Sequence, residues 1–124
     1  MNKQHILVVD DDPGIRLALA LKLRSVGFDV SEATDGVEAM EFFAGRTADL
    51  VVLDVGMPRM DGYTVARNLF AADGTRHLPI VILTAQNVEV PAGVLPEIGR
   101  HRFLTKPFSP REIVKAIQEL LQEA

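Results

Sequence analysis

The chain has 124 residues, a length that suits one domain around one hydrophobic core. Its 48% hydrophobic and 24% charged residues argue against intrinsic disorder, and a formal net charge of −4 offers no basic surface for nucleic acid or an anionic membrane. The absence of cysteine excludes disulfides and thiolate metal sites, and no apolar run reaches membrane-spanning length, so the expectation is a soluble cytoplasmic protein.

Strand and helix signals then alternate along the chain. The opening MNKQHILVVDDD runs from a polar lead into a brief apolar stretch that ends in three acids, which is wrong for a signal peptide. A first strand is predicted at residues 6–9. Ile15, Leu19, Leu23 and Val26 then recur at helical spacing, with Asp12 as N-cap, Pro13 at the first helical position and Gly27 as terminator. A second strand follows at 28–32, and Asp35 with Glu38 marks a capping box at the start of the second helix. The third strand is read at 50–53, and Val65 with Leu69 anchors a third helix that begins after Asp61-Gly62. A fourth strand is read at 80–83. In the segment 86–99, Pro91 and Pro96 each disfavour helical geometry at the residue before them, so a fourth helix should be short or irregular. The fifth strand is read at 102–104. Ser109, Pro110 and Glu112 then open a last helix whose stripe is Ile113, Ile117, Leu120 and Leu121.

The first, third and fourth strands read ILVV, LVVL and IVIL, the pattern of parallel strands buried on both faces. The expected architecture is α/β: a three-layer domain spanning 1–124, with no repeat, linker or following output domain in this sequence. In such sheets ligands bind beyond the carboxyl ends of the strands. Those ends carry Asp10, Asp11 and Asp12, then Asp54, then Thr84, then Thr105-Lys106-Pro107. Carboxylates held together repel one another unless a cation sits between them, and oxygen ligands without His or Cys suit Mg²⁺ rather than zinc. Lys106 and Thr84 add a cation and a hydroxyl able to hold phosphoryl oxygens, so the implied chemistry is phosphoryl transfer to a carboxylate.

At this point the chain resembles the receiver domain of two-component response regulators, similar to the chemotaxis regulators, over essentially its whole length. The resemblance rests on ILVVDDDP at the first strand, LDVGMPRMDG at 53–62, ILTA at 82–85 and FLTKPF at 103–108. It implies a doubly wound, five-stranded parallel sheet of flavodoxin-like order 2-1-3-4-5. Position by position, it implies Asp54 as phosphoacceptor, with Asp10, Asp11, Asp54 and the Gly56 carbonyl as Mg²⁺ ligands. Thr84 and Lys106 would contact the phosphoryl group, Thr84 and Phe103 would form the switch, and Pro107 would follow a cis peptide. The implied function is a phosphoryl-accepting switch of a two-component or phosphorelay system, not an enzyme on external substrates. Its partners would be a sensor histidine kinase or phosphotransfer protein, and a downstream protein on the face built by 86–99, the fifth strand and the last helix.

Plainer roles compete for several residues. Asp12, Asp35 and Asp61 read as helix caps and Tyr63 as surface or helix packing, while His5, His77 and His101 fit no metal or phosphotransfer pattern. Alone, Asp54 or Thr84 would read as a turn or cap residue and Lys106 as a solvated charge; only their convergence lifts them. Two rival functions stand beside the switch: an Mg²⁺-dependent phosphatase or phosphotransferase, and a receiver-like module that is never phosphorylated. The first lacks a second acid two residues after Asp54 and a cap insertion, and the complete site argues against the second. One departure from the family is Arg100-His101-Arg102, where many relatives carry acids; the reversed sign argues against the dimer of winged-helix transcription regulators.

Overall fold

A computed structural model describes residues 3–57, 59–85 and 100–123. The β-branched runs form five strands, β1 (His5–Val9), β2 (Asp29–Ala33), β3 (Leu50–Asp54), β4 (Ile80–Ala85) and β5 (His101–Lys106). They pair in parallel in the order β2-β1-β3-β4-β5, as expected. Four helices lie among the described residues: α1 (Pro13–Ser25), α2 (Gly36–Gly45), α3 (Gly62–Ala71) and α4 (Pro110–Gln122). The predicted short or irregular helix at 86–99 lies outside the described residues.

Alternation along the strands builds the three layers. Leu7, Val9, Val51, Leu53, Ile80 and Ile82 point to one face and pack with Ala39 of α2 and Val65, Ala66 and Leu69 of α3. Their neighbours Ile6, Val8, Leu50, Val52, Val81 and Leu83 point to the other and pack with Leu19 and Leu23 of α1 and Ile113, Ile117 and Leu120 of α4. Because both faces are covered, β1 and β3 tolerate no polar residue along their apolar runs, and Leu53 has 0% exposure. Truncating it to Ala would cost about 2–5 kcal/mol.

Helix ends follow their local chemistry. Asp12, Asp35 and Asp61 are N-caps, accepting hydrogen bonds from the backbone N–H groups of Gly14 and Ile15, of Glu38, and of Thr64. Ser109 and Glu112 form a full capping box at α4. At α2 the box does not close: the Glu38 carboxylate accepts from the Thr34 N–H at 2.8 Å, one residue outside the cap. At the end of α1, Val26 is the C-cap and 41% exposed rather than part of the buried stripe. Gly27, at φ 104°, turns the chain so that its N–H reaches Arg24 O and that of Phe28 reaches Leu23 O, a Schellman ending.

The strands begin and end differently from the apolar runs that announced them. Phe28 is drawn into that helix ending, so β2 starts at Asp29, whose N–H bonds to Gln4 O. β3, β4 and β5 run on through Asp54, Ala85 and Lys106, with Thr84 beside Thr105 and Ala85 beside Lys106. Backbone ladders ignore side-chain polarity, so the strands carry these polar residues to the carboxyl edge of the sheet.

Candidate functional site

Asp10, the residue after β1, has 0% exposure. Its backbone N–H bonds to Ala33 O, and its own carbonyl accepts from the Arg16 guanidinium at 2.8 Å. Carboxylate Oδ1 accepts from the Asp12 N–H at 2.9 Å, while Oδ2 is buried with no hydrogen bond among the described residues. Asp54 closes β3, also buried, and its Oδ1 accepts a long bond of 3.3 Å from the Gly56 N–H. Lys106, at the end of β5, holds Nζ 3.5 Å from Asp10 Oδ2 and 3.4 Å from Asp54 Oδ1. At those distances the ammonium is an ion-pair partner of both acids without completing the hydrogen bonding of Asp10.

Asp11 is exposed. Asp10, Asp11 and Asp54 each present a carboxylate oxygen, all within 4.8 Å of one another, close enough to share one cation. Burial pushes the Asp10 carboxyl above the ordinary carboxylate range; the Asp12 N–H opposes this, the Asp54 charge adds to it, and Lys106 offsets part of it. The crevice is therefore an electrostatically unfavourable place for a second negative charge unless a cation joins it.

Thr84, in β4, is buried and its hydroxyl donates to the Ala85 carbonyl at 3.4 Å. Phe103 is half-buried on β5, packed against the α2–α3 core, with its ring edge-on to His101 at 5.3 Å. The Lys106–Pro107 peptide is cis. The structure thus brings Asp10, Asp11, Asp54 and Lys106 together, with Gly56 bonded to Asp54. Thr84, one residue beyond Leu83, the β4 partner of Asp54, stands at the same edge, and Phe103 lies lower on the sheet.

The floor of this site depends on a close backbone approach. A Cβ on Gly62 would sit 2.6 Å from Asp54 O, so α3 starts against the end of β3 only because position 62 has no side chain. Two contributors were not read from the sequence. Arg16 ties Asp10 O to Glu32, with Nε 3.3 Å from Glu32 Oε1. Arg59, with a left-handed φ of 65°, pairs with Asp35 at 2.6 Å and staples the β3–α3 loop to α2. Tyr63, expected as surface or helix packing, is buried in the core, and among the described residues its hydroxyl has no hydrogen-bond partner of good geometry. Long-range pairs of this kind leave no spacing in a sequence; only the position of Tyr63 directly after Asp61-Gly62 hinted at its nearness to the site. The arginines of the Arg100-His101-Arg102 stretch turn to the end of α4, where Arg100 donates to Leu120 O at 2.9 Å and Arg102 pairs with Glu123.

A doubly wound parallel sheet with clustered acids, a hydroxyl and a lysine at its carboxyl edge defines a phosphoryl-signalling class of domain. The chain belongs to the response regulator receiver domain family of two-component signal transduction, whose model matches residues 6–118. Among curated proteins it is 38% identical over 120 residues to the probable transcriptional regulator ycf27 of Cyanidium caldarium, covering 97% of this chain and 47% of that protein. The chain spans about half the length of the curated relatives it matches. Among solved structures it is similar to a putative response regulator from Chloroflexus aurantiacus, with TM-score 0.87, 33% identity and coverage of 97% and 98% of the two chains. It is also similar to the response regulator TrrA of Thermotoga maritima in complex with Mg²⁺-BeF, with TM-score 0.82, 30% identity and coverage of 94% and 98%. No described helix is long and apolar enough to cross a membrane.

Proposed function

We propose that Asp54 accepts a phosphoryl group in an Mg²⁺-dependent reaction and that the chain acts as a regulatory switch rather than as an enzyme on external substrates. The observation that carries this is the buried Asp10 Oδ2, without a hydrogen bond among the described residues, in a crevice where Lys106 is the cation paired with both Asp10 and Asp54. Buried oxygens are ordinarily satisfied, so this one fits a ligand that the protein is built to hold. Asp10, Asp11, Asp54 and the Gly56 carbonyl would hold the metal. Bound there, Mg²⁺ supplies charge neutralisation for the carboxylates and for phosphoryl oxygens.

The remaining steps fall to the chain's own residues. A carboxylate oxygen of Asp54 forms the bond to phosphorus as the bond from phosphorus to the donor breaks, the electron pair leaving with the donor atom. For a sensor histidine kinase or phosphotransfer protein, that atom is an imidazole nitrogen. Lys106 Nζ, already 3.4 Å from Asp54, pairs with a phosphoryl oxygen, and Thr84 donates its hydroxyl proton to another. Movement of Thr84 and Phe103 then biases the face formed by β5 and α4 toward a downstream protein partner or an output domain. In this reading residues 1–124 form one cytoplasmic receiver domain that makes no direct contact with nucleic acid or membrane.

Intact-mass spectrometry after incubation with Mg²⁺ and acetyl phosphate tests the proposal. A single phosphoryl adduct is expected on the wild-type chain and none on Asp54→Asn or in the presence of a chelator. An adduct retained by Asp54→Asn overturns the assignment.

A further inference from the structure

Tyr63 opens the first turn of α3 and is 8% exposed, yet its buried hydroxyl has no hydrogen-bond partner of good geometry among the described residues. Buried tyrosines usually find such a partner, because their ring suits the core and their hydroxyl does not. By strand alternation Thr84 falls on the same face of β4 as Ile80 and Ile82, which pack in the cluster that holds Tyr63. Burial raises the phenol's pKa, and Thr84 acts on it in the opposite sense as a hydrogen-bonding group, although no bond of regular geometry joins them. Among the described residues Thr84 is itself poorly satisfied, since its hydroxyl's bond to Ala85 O is 3.4 Å long.

A threonine hydroxyl has one proton to give and lone pairs to receive. Thr84 can therefore donate to a phosphoryl oxygen and accept from the phenol at the same time. Such a chain would leave neither hydroxyl unsatisfied, and each bond would polarise the next. Phe103 packs against the same cluster as Tyr63, so a change in this corner is passed to β5.

We infer that Tyr63 is a positioning residue for Thr84, donating its hydroxyl proton to Thr84 Oγ1 when Thr84 engages the phosphoryl group on Asp54. This rests on the proposed role of Thr84 and adds to it a residue of α3 that makes no contact with the phosphoryl group.

The sequence supplies the probe, because Tyr63 is the sole tyrosine and there is no tryptophan. With the full chain, Mg²⁺ and beryllofluoride as phosphoryl mimic, the tyrosine absorption band should shift to the red as the phenol becomes a donor, and Thr84→Ala should abolish the shift. Tyr63→Phe should weaken beryllofluoride binding about fivefold, the worth of one ordinary hydrogen bond, and leave Mg²⁺ affinity unchanged. Bound beryllofluoride, seen by fluorine NMR, with no spectral shift and undiminished affinity in Tyr63→Phe would overturn the inference while sparing the proposed function. No bound beryllofluoride on the wild type would overturn both.

Discussion

Two sets of aspartates share the carboxyl end of the sheet and have opposite energetics. Around the rim, Asp12, Asp35 and Asp61 each accept backbone N–H groups of a helix start, at 2.9 Å for Gly14, Glu38 and Thr64. In the crevice, Asp10 has an oxygen without a hydrogen bond among the described residues, and Asp54 accepts a long bond from Gly56. The rim acids satisfy orphan donors and oppose the positive end of a helix, so they stabilise the fold. The crevice acids are desolvated and repel each other, so they weaken it until a ligand arrives. Residue type is the same in both sets, and partnering separates structural acids from functional ones.

The comparison would be sharpened most by Lys106→Ala, which removes the cation shared by Asp10 and Asp54. Loss of one preorganised charge donor should slow acetyl phosphate labelling about a hundredfold, read as the rate of adduct growth by mass spectrometry. Equal rates would remove Lys106 from the site. Next in size is Gly62→Ala, which forces a Cβ against Asp54 O and should cost about 1–3 kcal/mol in urea unfolding, through overpacking. Wild-type stability would show that the β3–α3 junction yields freely.

A smaller and more diagnostic pair is Asp12→Ala against Asp10→Asn, measured in metal-free buffer. Loss of the α1 cap should destabilise by about 1 kcal/mol. Removing the buried charge at position 10 should instead raise the melting temperature, because desolvation is the largest influence on that carboxyl. Two shifts of the same sign would break the distinction between rim and crevice. The smallest effect is pH dependence at the rim. Backbone donation from Glu38, then the Arg59 contact, holds the Asp35 carboxyl below its usual 3.8, so its stabilisation is complete above that value and is lost as pH falls through the depressed one. Asp35→Asn should flatten the acid limb of melting temperature against pH, and an unchanged limb would show that other carboxylates carry it.

Much of this was legible in the residues. The apolar runs marked the central strands because parallel strands covered on both faces admit little else, and Asp12-Pro13 and Ser109-Pro110 marked helix starts through their capping chemistry. The convergence of Asp10, Asp54, Thr84 and Lys106 followed from one rule, that consecutive parallel strands all end at the same edge. Strand order came from the family resemblance, since pairing partners leave no local trace. That β4 and β5 run on to include Thr84 and Lys106 was hidden, because ladder bonds are made by backbone. The Arg59–Asp35 staple and the unpartnered Tyr63 hydroxyl were invisible because they depend on side chains that meet only after folding.

The central claim is that the crevice acids serve a cation and the capping acids do not. Thermal unfolding of the wild type, Asp10→Asn and Asp12→Ala across an Mg²⁺ titration tests it directly, since a ligand that binds only the folded chain raises its melting temperature. The account predicts an Mg²⁺-dependent rise in the wild type and in Asp12→Ala, and a strongly diminished rise in Asp10→Asn. An undiminished response in Asp10→Asn, or a response lost in Asp12→Ala despite a folded chain, would contradict it.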